Sequence, residues 1–166
     1  MPRIAALLLS FGLICSAAAG AEQPSPVIQA FLDSLKPLAS EEIVLFAVPP
    51  GVSFNYGLSA EDLPRSSCEF KAKAGRAGGR KLLQLLSDPP PRIDPTRRAN
   101  DLRVGIFAGH MRLYLDDFGV VRSDWLVPVY SRATVAAIRR LVRSADFTVV
   151  DSRAEACAGT WKELGE

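Results

Sequence analysis

"LRVGIFAGHMRLYLDDFGVVR" (residues 102–122) contains two runs in which apolar and other side chains alternate. Leu102, Val104 and Ile106 fall on one side of the first run. Met111, Leu113 and Leu115 fall on one side of the second. A period of two is the signature of a strand with one buried face. The runs flank Ala108-Gly109, so they read as a β-hairpin, with His110 opening the second strand. Asp117-Phe118-Gly119 then closes a turn, with Gly119 available for positive φ. "VVRSDWLVPV" (120–129) supplies one or two further strands. The whole stretch reads as an antiparallel meander over about 102–128.

The flanking segments set the class. "PVIQAFLDSLKPL" carries apolar residues at helical spacing, with Pro26 suited to a first helical turn and Pro37 to its end. "EEIVLFAV" (41–48) is a strand stopped by Pro49-Pro50-Gly51, and the alternating "VSFNYGL" (52–58) is its expected partner. "CEFKAK" (68–73) alternates again. "GGRKLLQLLSD" (78–88) is a helix with a leucine face. Residues 88–101 hold four prolines and no periodicity, and read as an exposed, polyproline-like loop. Residues 131–146 read as a helix capped by Ser131, and 147–150 as a last strand. Strands run in blocks and do not alternate with helices. The expectation is therefore a single α+β domain over 21–166, an antiparallel sheet with two to three helices packed on one face. The chain length of 166 residues suits one domain.

The N-terminus addresses the compartment. "MPRIAALLLSFGLICSAAAGAEQ" has a basic start, a short apolar run and then small residues, the layout of a secretory signal peptide over 1–20. The run is short for a membrane span, so no transmembrane span is expected after its removal. Ile14 before Cys15 fits lipid attachment badly. With Cys15 removed, Cys68 and Cys157 remain, and an even pair in an exported chain reads as a disulfide. Their separation argues against a zinc site, and no Cys-x-x-Cys is present.

Several chemistries fail on the residues. "AGRAGGRK" (74–81) superficially resembles a phosphate loop, yet Arg80 precedes Lys81 and Leu82 stands where a hydroxyl is required. His110 is the only histidine and no Gly-x-Ser-x-Gly elbow exists, so nucleophilic triads are not expected. Asp117-Phe118-Gly119 lacks the kinase motifs that would make it a metal aspartate. No metal or cofactor is expected. A net charge of +2 gives no strong field for nucleic acid.

What remains is binding. Alternation places His110, Arg112, Tyr114 and Asp116, with Arg103, Gly105 and Phe107 from the preceding strand, on the face opposite Met111 and Leu113. Tyr and Arg are favoured interface anchors. Arg103, Phe107, Arg112 and Tyr114 are therefore expected to form one exposed patch. Arg132, Arg139 and Arg143 lie within about 40° of one another at ~100° per residue, a second basic candidate surface on the 131–146 helix. The reading is an exported, periplasmic or secreted, protein-binding module of inhibitor, immunity or envelope-accessory type. Its partner would be another protein, and the balance is against an enzyme. Two alternatives are an envelope-polymer hydrolase using a carboxylate pair from Asp116, Asp117 and Asp124, and a structural protein holding anionic envelope polymer on the basic helix.

Overall fold

A computed structural model describes residues 24–49, 51–122 and 127–150. The expected signal segment, Asp124 and Cys157 lie outside them. Helix α1 (Pro26–Ser34) begins where Ser25 Oγ accepts the Ile28 N–H at 3.4 Å, and it buries Ile28 and Phe31. Pro37 does more than end it: it opens a second, four-residue helix, α2 (Pro37–Ser40), which buries Leu38. Then follow β1 (Ile43–Ala47), α3 (Leu63–Ser66), β2 (Cys68–Ala72), α4 (Ala77–Ser87), β3 (Arg92–Ile93), β4 (Leu102–Ala108), β5 (Met111–Asp116), β6 (Pro128–Val129), α5 (Arg132–Leu141) and β7 (Thr148–Val149).

Five strands form one antiparallel sheet in the order β5-β4-β1-β2-β7. The α+β class read from the sequence is the one observed. β1 is central because Ile43, Leu45 and Ala47 are buried on one face while Phe46 is buried on the other. A continuous apolar run is what two covered faces demand. The first face, with Leu45, Phe70, Val104, Ile106, Leu113 and Leu115, packs against Phe31 and Leu35, Leu82 and Leu86 of α4, and Ile138 of α5. Burying each such side chain is worth roughly 1.5–3 kcal/mol, so this face dominates the stability. Phe46, Val48, Leu58, Leu63 and Leu102 form a smaller cluster on the second face. The helices α1, α4 and α5 thus share a face as expected, and the short α3 sits on the other.

The glycines before Lys81 have a packing role. A Cβ on Gly79 would lie 2.3 Å from the Leu38 carbonyl oxygen, so α4 can approach α2 only without one. Lys81 itself pairs with Asp146 at 2.8 Å.

The expected strand over 52–58 does not form. Leu58 donates its N–H to Asp101 Oδ1 and accepts the Leu102 N–H, which draws the segment across the second face, and β1 pairs with β2 and β4 instead. Leu102 also leaves the Val104/Ile106 side. The β4–β5 register shifts between Leu102 and Val104, and this β-bulge turns Leu102 into the smaller cluster. His110 is a turn residue: Ala108 pairs with Met111, and Gly109 takes φ 54° between them. Arg92 and Ile93 of the proline-rich loop are not irregular but pair with β6. Helix α5 starts on Ser131, whose Oγ accepts the Thr134 N–H at 3.0 Å, but stops at Leu141. Arg143 and Ser144 donate to carbonyls three residues back, and Ser144 Oγ accepts the Asp146 N–H, so side-chain bonding replaces the next helical turn.

Candidate interaction surface

The register of the sheet lays out its second face. Arg112 stands opposite Phe107, Phe107 opposite Val44, Val44 opposite Lys71, and Lys71 opposite Thr148. Directly opposed residues share a face, so these five form one row across every strand of the sheet. The next row holds Tyr114, Gly105, Phe46 and Glu69. Beyond it, Leu63 of α3 comes within 3.0 Å of where a Gly105 Cβ would be. Residues 51–66 therefore cover that end of the face. Among the described residues nothing lies over the first row, where Arg112 and Thr148 are exposed and Val44 and Phe107 half-buried.

Aromatic packing stiffens this surface. Phe107 meets Phe46 edge-on at 5.3 Å and Tyr114 edge-on at 5.5 Å. The Arg112 guanidinium lies 4.6 Å from the Phe107 ring centre and donates to the Gly109 and Met111 carbonyls. Edge-to-face pairs add about 0.5–1.5 kcal/mol beyond area burial, and a cation over a ring about 0.5–1 when exposed. Phe107, Arg112 and Tyr114 are thus brought together in one cluster.

Arg103 is not part of that patch. It is 6% exposed, against the expectation of an accessible side chain. Its guanidinium pairs with Asp101, donates to the Val52 carbonyl at 2.9 Å and lies 5.3 Å from the Phe54 ring centre. Its Nε sits 3.7 Å from Asp117 and makes no hydrogen bond. The 51–58 segment, once it fails to be a strand, is what buries it.

The basic helix face also breaks up. Arg139 gives its Nη2 to Asp117 at 2.6 Å and is largely buried. Arg132 is exposed and stacks 4.6 Å from the Phe118 ring centre. Arg143 lies past the end of α5, so the three do not form a helical stripe.

The carboxylates serve the turn. Asp116 Oδ1 accepts the N–H groups of Phe118 and Val120 at 2.9 and 2.8 Å. Burial pushes its carboxyl above the ordinary aspartate value, while those two N–H groups pull the other way and Asp117 pushes it further up. A raised acid is one half of a hydrolytic pair. The other half is missing among the described residues, because Asp117 is held between two arginines. No group of three or more His, Cys, Asp or Glu side chains among the described residues could hold a metal ion. Cys68 opens β2 and is buried.

Sequence reasoning missed Asp101, Phe54, Val44 and Lys71. The alternation of Val44 and Phe46 against Leu45 and Ala47 carried a signal for the second face, but the partners across it follow from register alone. The chain is an antiparallel α+β protein in which, among the described residues, helices seal one sheet face and residues 51–66 cover part of the other. No family model, no curated protein and no solved structure matches it.

Proposed function

We propose that the protein is an exported protein-binding module of inhibitor, immunity or envelope-accessory type, and that it binds through the uncovered row of its second sheet face. The observation carrying the reading is the Arg112–Phe107–Tyr114 cluster. It is a rigid aromatic surface with a cation stacked on it, beside half-buried Val44. Such surfaces present large contact area at low entropic cost, and Tyr and Arg anchors dominate measured interface energies. Arg103, Arg139 and Arg143 drop out of the proposed surface for the reasons given above.

Export is supported by the three-part N-terminal segment and by the cysteines. Cys68 is buried, and Cys157 is its proposed partner. Among the described residues no helix is long and apolar enough to cross a membrane.

The test uses the purified protein as bait in an envelope extract, beside Arg112→Glu and Tyr114→Ala. The reading expects a specific partner that both variants lose while their thermal unfolding is unchanged. Empty capture, or capture that survives both substitutions, would contradict it.

A further inference from the structure

We infer that the proline-rich loop and the start of α5 form a second recognition site, a cleft bearing arginines without carboxylate partners, which takes an acidic peptide segment bearing apolar side chains. It is separate from the Arg112 row and does not rest on it. Two clefts adjoin here. One of about 610 Å³ lies between residues 89–97 and the start of α5, with Arg92, Ile93, Arg97 and Tyr130 among its walls. Another of about 440 Å³ shares Arg97 and adds Arg98, Asp117 and Phe118. Both volumes fall within the range of ligand sites, roughly 300–1,000 Å³.

The charge balance names the ligand. The carboxylates in these walls are committed. Asp94 accepts from Thr96 and pairs with Arg97 at 3.6 Å. Asp101 pairs with Arg103 and accepts the Leu58 N–H. Asp116 holds its turn, and Asp117 pairs with Arg139. Arg92 and Arg98 of the walls, and Arg132, which stacks on the wall residue Phe118, have no carboxylate partner among the described residues. Arg98 donates only to the Pro95 and Arg97 carbonyls, and Arg132 lies on Phe118. Guanidinium groups without a carboxylate partner favour carboxylates through charge-assisted, often bidentate, bonds.

The apolar residues narrow the class. Phe118 is 51% exposed and Ile93 39% exposed, one beside each cleft. An acidic peptide can answer both the arginines and these side chains. A phosphate polymer answers the arginines alone.

The test is fluorescence anisotropy with a labelled twelve-residue peptide of glutamates and two leucines. The competitors are an unlabelled all-glutamate peptide and polyphosphate. The expected result is saturable binding that weakens with salt and falls at least about tenfold in Arg92→Ala/Arg98→Ala/Arg132→Ala, with Arg112→Glu unaffected. The all-glutamate peptide should compete more weakly than the leucine-bearing one. No binding, or binding unchanged in the triple variant, overturns the site. Polyphosphate competing better than the unlabelled leucine-bearing peptide overturns the peptide assignment. Loss of partner capture in Arg112→Glu bears on the sheet surface only.

Discussion

Asp117, on the turn after β5, is ion-paired at 2.6 Å to Arg139 of α5. Its other oxygen faces the buried Arg103 of β4. One half-exposed carboxylate therefore ties the sheet hairpin to the helix that seals the opposite face. Removing a partner from a fully buried pair costs about 3–5 kcal/mol, and an exposed pair is worth under about 1. Asp117 lies between these cases, and Arg103 keeps Asp101. Asp117→Ala is therefore expected to lower the unfolding free energy by about 1–2 kcal/mol in urea titration. A double-mutant cycle with Arg139→Ala should show positive coupling. Zero coupling would mean the pair is incidental.

Asp116 gives a pH dependence of defined sign. Its folded carboxyl titrates above the ordinary aspartate value, burial being the main cause. Between the unfolded and folded values the native state holds more protons, so this group's contribution to stability falls as pH rises through that window. Asp33, Asp94 and Asp146 are shifted down, chiefly by their bonds to Lys36, Thr96 and Lys81, and they act oppositely. The comparison to make is the stability difference between wild type and Asp116→Asn across about pH 3 to 8, a span that brackets the ordinary carboxylate values. Asn keeps an acceptor for the two N–H groups, so the variant should gain relative to wild type as pH rises. Asp116→Ala, which leaves both N–H groups without it, should cost about 1–3 kcal/mol. A flat difference for Asn would show that the carboxyl is not desolvated.

Gly79→Ala tests why the glycines precede Lys81. In an ordinary helix interior this change stabilises by up to about 1 kcal/mol. Here the new methyl would meet the Leu38 backbone oxygen, so the sign reverses, with a loss of about 1–3 kcal/mol. Chemical denaturation reads it directly, and a stabilised variant would contradict the close α2–α4 packing.

The proposed Cys68–Cys157 bond would close a loop of about 90 residues, worth roughly 4–5 kcal/mol in the chain-entropy account. Peptide mapping of the secreted protein should find the two cysteines linked. Single Cys→Ser variants should lower stability by an amount of that order, and mapping that finds both thiols free would remove the pairing.

The hairpin was legible because two strict alternations flank a short polar turn, and β4 and β5 follow them. The strand at 52–58 was not, although it alternates just as well. Tertiary contacts decide its fate, since Asp101 and Leu102 take the Leu58 backbone groups. The bulge at Leu102–Val104 leaves no mark in the residue pattern, and it moves Leu102 to the other face. The burial of Arg103 is equally absent from the residue pattern. Its side is given correctly by alternation, but what covers it comes from residues 51–58 and from acids at 101 and 117. Phe107, Arg112 and Tyr114 needed only the local period, which is why that part of the surface was readable.

The partner is proposed to sit on the Arg112–Thr148 row of the second sheet face, which the described residues leave uncovered. Hydrogen–deuterium exchange on the captured complex measures this most directly. Protection should be concentrated in 44–46, 69–71 and 107–114 relative to the free protein. Protection confined to 92–98 and 132–143, with 107–114 unchanged, would contradict it.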